Sequence, residues 1–414
     1  MKKCIAIFCL IICVCLTSCD KGNIYSKEND KNAVLAANFD EEELIKEQEG
    51  DEEPQIYTVK MRAVGDIMTH DYQLDVAYDK NDNSYNFDKQ FELIKKYIEE
   101  ADIAIGNLES TFGGSERGYS GYPQFNSPDS LANSLKDVGF DILTTANNHS
   151  LDTYSAGALR TLDVLDNVGI EHVGTYSSQE ARDEIKIMTV NNISFAFFSY
   201  TYGTNGIPIP KDKPYLVNLI NLEEMKKDIQ KAEELSPDFI VVCVHFGNEY
   251  ERYPNNNQKQ IVDELFNAGA DIILGSHPHV LQPMETRKVT RPDGSVEDCF
   301  VIYSLGNFIS SQRSPLDPPR DAGLILNIDF EKLENEKAKI KTISFMPTWV
   351  QFSTVKARGI IRVVSSITPE EELEKLLLPY EINRLKETKQ YTLQHLLGEK
   401  ERIIEEDFYI YNLY

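Results

Sequence analysis

The stretch Asp271-Ile272-Ile273-Leu274-Gly275-Ser276-His277-Pro278-His279 decides how the chain is read. Its apolar, β-branched half reads as a buried strand, and a helix-period stretch from Asn257 to Asn267 leads into it. Its polar half sets two imidazoles just past the strand's carboxyl end. The proline between them is expected to hold the backbone extended, so that the two rings diverge and reach neighbouring ions.

The same unit recurs along the chain. Phe87 to Glu100 is amphipathic and runs through Asp102-Ile103-Ala104-Ile105 to Gly106-Asn107-Leu108-Glu109. Ser130 to Val138 leads through Gly139 and Phe140 to Thr145, ending in Ala146-Asn147-Asn148-His149. Leu222 to Leu235 leads to Phe239 to Val244, ending in His245-Phe246-Gly247. Ile56 to Val64 reads as a first strand ending in Gly65-Asp66-Ile67-Met68. Continuously apolar strands alternating with helices indicate an α/β fold of buried strands flanked by helices. Five strands thus carry a candidate ligand at the edge where α/β sheets bind. Phe300 to Leu305, ending in Gly306-Asn307-Phe308, repeats the pattern. Ala322 to Phe330, Ala338 to Phe345 and Gly359 to Val364 read as strands without such endings and predict a second sheet. Beyond Pro369 the chain is helical and charged to Leu397, and its end is rich in aromatic residues.

Asp66, Glu109, Asn148, His149, His245, His277 and His279 together supply carboxylates, one amide oxygen and imidazoles. Imidazole suits Zn, Fe and Mn, so the mixture describes a transition-metal site rather than a calcium site. The set is too large for one four-coordinate ion and suits two ions sharing a carboxylate, the usual device for hydrolysing phosphate esters. The chain has 7 histidines, and four of them lie at these strand ends. His70 is a near miss, His172 reads as structural, and His395 reads as a surface or packing residue of the tail helix.

Charge and cysteine usage bound the setting. The chain carries 67 acidic and 42 basic residues, net charge -25, which argues against a nucleic-acid partner, since phosphate neutralisation needs a surplus of Lys and Arg. Residues 1–19 have a short basic start, an apolar run from Ile5 to Leu16 and small residues before Cys19, the pattern of a secretory signal. Leu16-Thr17-Ser18-Cys19 resembles a bacterial lipobox, which implies cleavage before Cys19 and acylation of its sulfur. Residues 20–55 hold 12 acids and 4 bases and read as a solvated spacer. Of the 7 cysteines five fall in the signal segment, and Cys243 in its apolar run reads as a buried small hydrophobe. No disulfide scaffold is implied. Residues 56–368 read as the main domain and 369–414 as a helical C-terminal extension.

Six motifs in order, from Gly65-Asp66-Ile67-Met68 to Tyr303-Ser304-Leu305-Gly306-Asn307-Phe308, resemble the CapA/PgsA-type poly-γ-glutamate capsule-biosynthesis family, which is related to the calcineurin-like metallophosphoesterases. The resemblance implies a metallophosphoesterase-like layered sandwich of two mixed β-sheets flanked by helices. It implies two divalent transition-metal ions (Mn, Fe or Zn), the first held by Asp66 and His279, the second by Asn148, His245 and His277, with Glu109 bridging. His149 would be the general acid, and Glu249 and Asn307 would touch substrate or support the ligands. Two departures bear on the first ion: Met68 stands where the phosphoesterases have a histidine, and Glu109 where they have an aspartate. The implied protein is extracytoplasmic and lipid-anchored to the bacterial cell membrane. Its partners would be an extracellular polymer or envelope substrate and components of a capsule synthase. It would act as a metal-dependent hydrolase or, alternatively, as a non-catalytic accessory that holds, exports or anchors the polymer.

Overall fold

A computed structural model of the chain describes residues 54–291, 294–312, 317–354 and 359–413. The signal segment, Cys19 and the spacer up to Glu53 lie outside them. A small hairpin, β2 (Tyr78–Asp79) and β3 (Ser84–Tyr85), stands apart from two large sheets.

The first sheet contains β1 (Ile56–Ile67), β4 (Ile103–Leu108), β5 (Ile142–Thr144) and β6 (Glu171–Val173) in parallel. On its other side β1 pairs antiparallel with β14 (Ala322–Leu333), and β14 with β15 (Lys339–Ser353). The short β13 (Asn307–Ile309) runs parallel to β1, and β16 (Ile360–Ser365) pairs with β15. The second sheet has the order β11 (Leu281–Thr290), β12 (Val296–Leu305), β10 (Ile272–Ser276), β9 (Phe239–His245), β8 (Ile193–Thr201), β7 (Lys186–Val190). Its four inner strands are parallel and its edges antiparallel. Both sheets are therefore mixed.

Side-chain alternation along the strands decides the layering. Val59, Met61 and Ala63 of β1 share one buried cluster with Val241 and Cys243 of β9 and with Phe195 and Phe197 of β8, which closes the sheets face to face. The opposite face of the first sheet packs on Leu131 and Leu135 of the helix Ser130–Val138. The outer face of the second packs on Met225 and Ile229 of Leu222–Glu234 and on Ile261 and Leu265 of Asn256–Ala268. Each phenylalanine so buried contributes about 2 kcal/mol of transfer free energy.

Three expectations need correction. The strands Ala322–Leu333, Lys339–Ser353 and Ile360–Ser365 do not build the second sheet; they extend the first, because β14 forms a nine-residue antiparallel ladder with β1 from Ile56↔Leu333 to Val64↔Ile325. The second sheet is built by β7 to β12, so the strand ends bearing Asp66, Glu109 and Asn148 meet those bearing His245, His277 and His279 across the sandwich. The C-terminal segment is helical over Glu370–Leu376 and Pro379–Leu397 and then returns to the main sheet. There β17 (Ile404–Glu405) and β18 (Phe408–Leu413) follow, and β18 pairs with β15. The amphipathic run at Phe87–Glu100 forms two short helices, Asp88–Phe91 and Lys95–Glu99, with Phe91, Tyr97 and Ile98 buried.

The end of β1 is held by a close backbone contact. Asp66 N donates to Gly306 O at 3.0 Å, and a Cβ at Gly65 would sit 1.9 Å from that same oxygen. Only glycine permits the approach. Gly65→Ala is expected to destabilise the fold by about 1–3 kcal/mol, the range for overpacking. An unchanged urea midpoint would show that the contact is not tight.

Candidate metal centre

Glu109 stands where the two sets of strand ends meet. It follows β4, and its backbone N–H donates to Ile67 O at 3.0 Å, fixing it beside the end of β1. Its side chain is fully buried, and neither carboxylate oxygen has a hydrogen-bond partner among the described residues. Three imidazole Nε2 atoms surround Oε1: His245 at 3.6 Å, His279 at 3.8 Å and His149 at 4.0 Å. These gaps are too long for hydrogen bonds. For His245 and His279 they suit a pair of donors, one imidazole and the Glu109 carboxylate, each about 2.0–2.2 Å from an ion between them.

The donor atoms fall into two buried groups, Asp66, Glu109 and His279, and Glu109, His245 and His277, each with its atoms within 4.8 Å of one another. Glu109 belongs to both. Asn148 Oδ1 converges on the second group, 2.6 Å from His245 Nε2. His277 Nδ1 is buried without a partner among the described residues. A buried carboxylate and a buried imidazole with unmet polar atoms are costly unless something binds them, so this donor set fits divalent cations.

The two histidines do diverge, but not through an extended backbone. His277 and His279 both adopt left-handed conformations, φ 97° and 56°, which L residues rarely hold without a compensating interaction. Their rings lie 5.9 Å apart at 63°, one in each group.

Supporting contacts fix the ligands from behind. Asn107, not singled out in the sequence, donates through Nδ2 to Asp66 Oδ1 at 2.8 Å and lies 3.3 Å from His245 Nδ1. Asn147 Nδ2 donates to Leu108 O, and its Oδ1 accepts from His149 N. Asn307 is fully buried beneath His279: its Oδ1 is 3.1 Å from His279 Nδ1, and its Nδ2 donates to Arg320 O at 2.9 Å. His279 Nδ1 also lies 3.0 Å from Asp66 Oδ2. Glu249 is exposed beside Tyr250, whose hydroxyl is pushed up to about 12 by burial and then by the Glu249 charge.

His149 belongs to neither donor group. Its Nδ1 is 2.7 Å from Asp152 Oδ2, which also accepts from Phe125 N, and the Phe125 ring meets its edge at 4.7 Å. Asp152 and Phe125 were missed in the sequence. The signal for Asp152 is its place three residues after His149; Phe125 has none. His70 borders the site through Phe125 but lies outside both groups. His172 bonds Asp166 at 3.1 Å, and His395 sits against Tyr391 and Tyr253. Met68 is buried, and no imidazole takes its place in the first group. Cys243 is buried and unpaired, its thiol pushed up to about 12 by burial.

Burial, then the neighbouring Asp66, Glu249 and Asp152, push the Glu109 carboxyl well above the ordinary range. Burial and the neighbouring histidines hold His245 well below the usual imidazole range, and His277 down to about 3. The imidazoles are thus neutral at pH 7, the form that binds a cation.

Fold and site together define an α/β sandwich with a buried, carboxylate-centred histidine cluster of metal-binding type. A family model for the bacterial capsule synthesis protein PGA_cap matches residues 60–312, and the chain belongs to that family. It is 30% identical over 262 residues to the PGA biosynthesis protein CapA of Bacillus subtilis (strain 168), an alignment covering 60% of this chain and 62% of that protein. It is 28% identical over 260 residues to the capsule biosynthesis protein CapA of Bacillus anthracis, covering 61% and 60%. The chain therefore spans about three fifths of the length of these curated relatives. Among solved structures it resembles a putative 5'-nucleotidase from Staphylococcus aureus with TM-score 0.45 and 16% identity, over 81% of this chain and 58% of that one.

The buried histidines fix the sign of a pH response in metal-free protein. Their folded pKa values lie below the unfolded value near 6.5: about 3 for His277, and about 4 for His70 and His395, each lowered chiefly by burial. The unfolded chain therefore binds more protons below pH 6.5, and stability present above that pH is lost as pH falls toward 4. Glu109, Asp141, Asp329 and Asp271, the last raised to about 6, are all raised chiefly by burial and work in the opposite direction, but five imidazoles, His245 and His172 included, are lowered. The melting temperature of chelator-treated protein should fall between pH 6.5 and 4. A flat profile would mean these imidazoles are solvated.

Proposed function

We propose that the chain is an extracytoplasmic, lipid-anchored protein of capsule biosynthesis that hydrolyses a phosphoester or an envelope-polymer bond at two divalent metal ions. The observation that carries it is the buried Glu109 carboxylate, without a hydrogen-bond partner among the described residues and common to both donor groups. Asp66 and His279 would hold one ion, Asn148, His245 and His277 the other, and Glu109 both. Ions so held supply a water of lowered pKa and offset negative charge on the reacting group.

The chain's own groups supply the rest. His149 presents Nε2 toward the Glu109 side of the centre while Asp152 holds Nδ1 at 2.7 Å. Asp152 thereby holds Nδ1 and fixes the ring's orientation, so that Nε2 faces the centre as the atom that would exchange a proton with the reacting group. Phe125 packs on the ring and keeps water from one side of it. Cations bound beside Glu109 would favour its anionic form against the burial that raises its carboxyl. The PGA_cap family supports the capsule role, and the names of the Bacillus proteins suggest poly-γ-glutamate as the polymer. Anchoring at Cys19 rests on the lipobox-like tetrapeptide alone.

Elemental analysis of purified protein should find two ions per chain, falling to one or none in His277→Ala; metal-free wild type would overturn the proposal. With Mn or Zn, His149→Ala should lose about 10²–10⁴ in turnover on a phosphodiester or γ-glutamyl panel while keeping its metal. Full restoration of capsule by His149→Ala in a deletion strain would instead assign an accessory role. Cys19→Ser should move the protein from the membrane fraction to the soluble fraction, and unchanged fractionation would remove the anchor.

A further inference from the structure

A sixth strand end faces the centre. The residues after β8, Tyr202 to Asn205, touch four of its members. The Tyr202 ring lies 4.6 Å from that of His277 and runs nearly parallel to that of His245 at 6.3 Å. Asn205 Oδ1 accepts from Asn148 Nδ2 at 3.2 Å, and its Nδ2 lies 3.5 Å from His149 Nδ1. Tyr202 is nonetheless 48% exposed, unusual for a large aromatic ring beside a buried cluster.

Tyr202 also borders an open groove of about 560 Å³, whose other polar side chains are those of Asn248, Asn255, Asn256 and Asn257. None of its lining residues is charged. Asn248 donates to Glu251, and Asn255 caps the following helix; Asn256 and Asn257 face solvent. An aromatic face beside several carboxamides, open at the ends, suits a ligand with an apolar ring face and a rim of hydroxyl groups. The volume is in the range of small-molecule sites. A polyanion would bring carboxylates into a groove that offers no cation, on a chain of net charge -25.

We propose that this groove is a subsite for a sugar ring, so that the group joined to the reacting bond is a glycan or a glycosyl phosphate. The hydrolytic reading of the neighbouring centre sets the orientation: the reacting group lies at His277, and the sugar extends over Tyr202 toward Asn256. Tyr202 supplies the face against which the ring packs, and the amides of Asn256 and Asn257 exchange hydrogen bonds with its hydroxyls.

The test is calorimetric titration of metal-loaded full-length protein with the 1-phosphates of glucose, galactose and N-acetylglucosamine, with glycerol 3-phosphate, and with a γ-glutamyl oligomer. At least one glycosyl phosphate should bind about tenfold more tightly than glycerol 3-phosphate, a difference that one or two hydrogen bonds and a ring contact supply. Tyr202→Ala should abolish that preference, and Asn256→Ala, at an exposed position away from the ligands, should reduce it several-fold. Equal binding of all the phosphates, tighter binding of the γ-glutamyl oligomer, or a preference intact in both variants overturns the subsite. Turnover followed on the same samples separates the two ideas. A sugar preference without hydrolysis keeps the subsite and removes the hydrolytic reading, whereas hydrolysis without a sugar preference does the reverse.

Discussion

A carboxylate buried where no donor among the described residues reaches it is the constraint on which this structure turns. Glu109 lies at the seam between two sheets, ringed by imidazoles that stand too far away to bond it. Burying an unpaired charge costs several kcal/mol, and a fold selected only for stability would place a leucine there. Of the neighbouring histidines, His245 and His277 are held below the usual imidazole range by the same burial, so they offer lone pairs rather than compensating charge. Carboxylate and imidazoles are therefore each incomplete alone and complete together around cations.

The neighbouring side chains serve that arrangement mostly through neutral amides. Asn107 ties Asp66 to the His245 side, Asn147 ties the loop of Asn148 and His149 to β4, and Asn307 fixes His279. Amides orient without adding charge, which keeps the local field under the control of whatever occupies the centre. The left-handed backbone at His277 and His279 is strain of the kind found where function over-determines geometry. Asp152 is the exception, a carboxylate paired with His149 and thereby set apart from the donor groups.

The strand-end pattern was legible because it is local: an apolar run, then a ligand-type residue, each within a dozen positions. His277-Pro278-His279 could be read as two divergent ligands, although the divergence comes from two left-handed residues that proline spacing does not reveal. Which sheet each strand joins was not legible, since the pairing of β1 with β14 depends on partners at Ile325 to Leu333. The return of the chain end as β18 was hidden for the same reason, with only its aromatic residues as a hint. Asn107 sat inside a quoted motif unnoticed, because its neighbour Glu109 carried the chemical signal. Tyr202 and Asn205 had no signal at all: β8 ends in residues that are not candidate metal ligands, and their contacts are made with residues 43 or more positions away.

The ladder between β1 and β14 has a kinetic side. Strand β1, which delivers Asp66, gains its antiparallel neighbour only from residues 325–333, and the outermost large strand pair waits for residues 408–413. Such high contact order makes for slow folding, because loop closure must precede the contacts that reward it. The donors of the centre come from strands scattered between Asp66 and His279 and converge only once both sheets have closed. An ion taken up there would enter late and report a finished sandwich. Small zinc domains do the opposite, using the metal to start folding. On that order the chain would carry its buried carboxylate through assembly before any cation reached it.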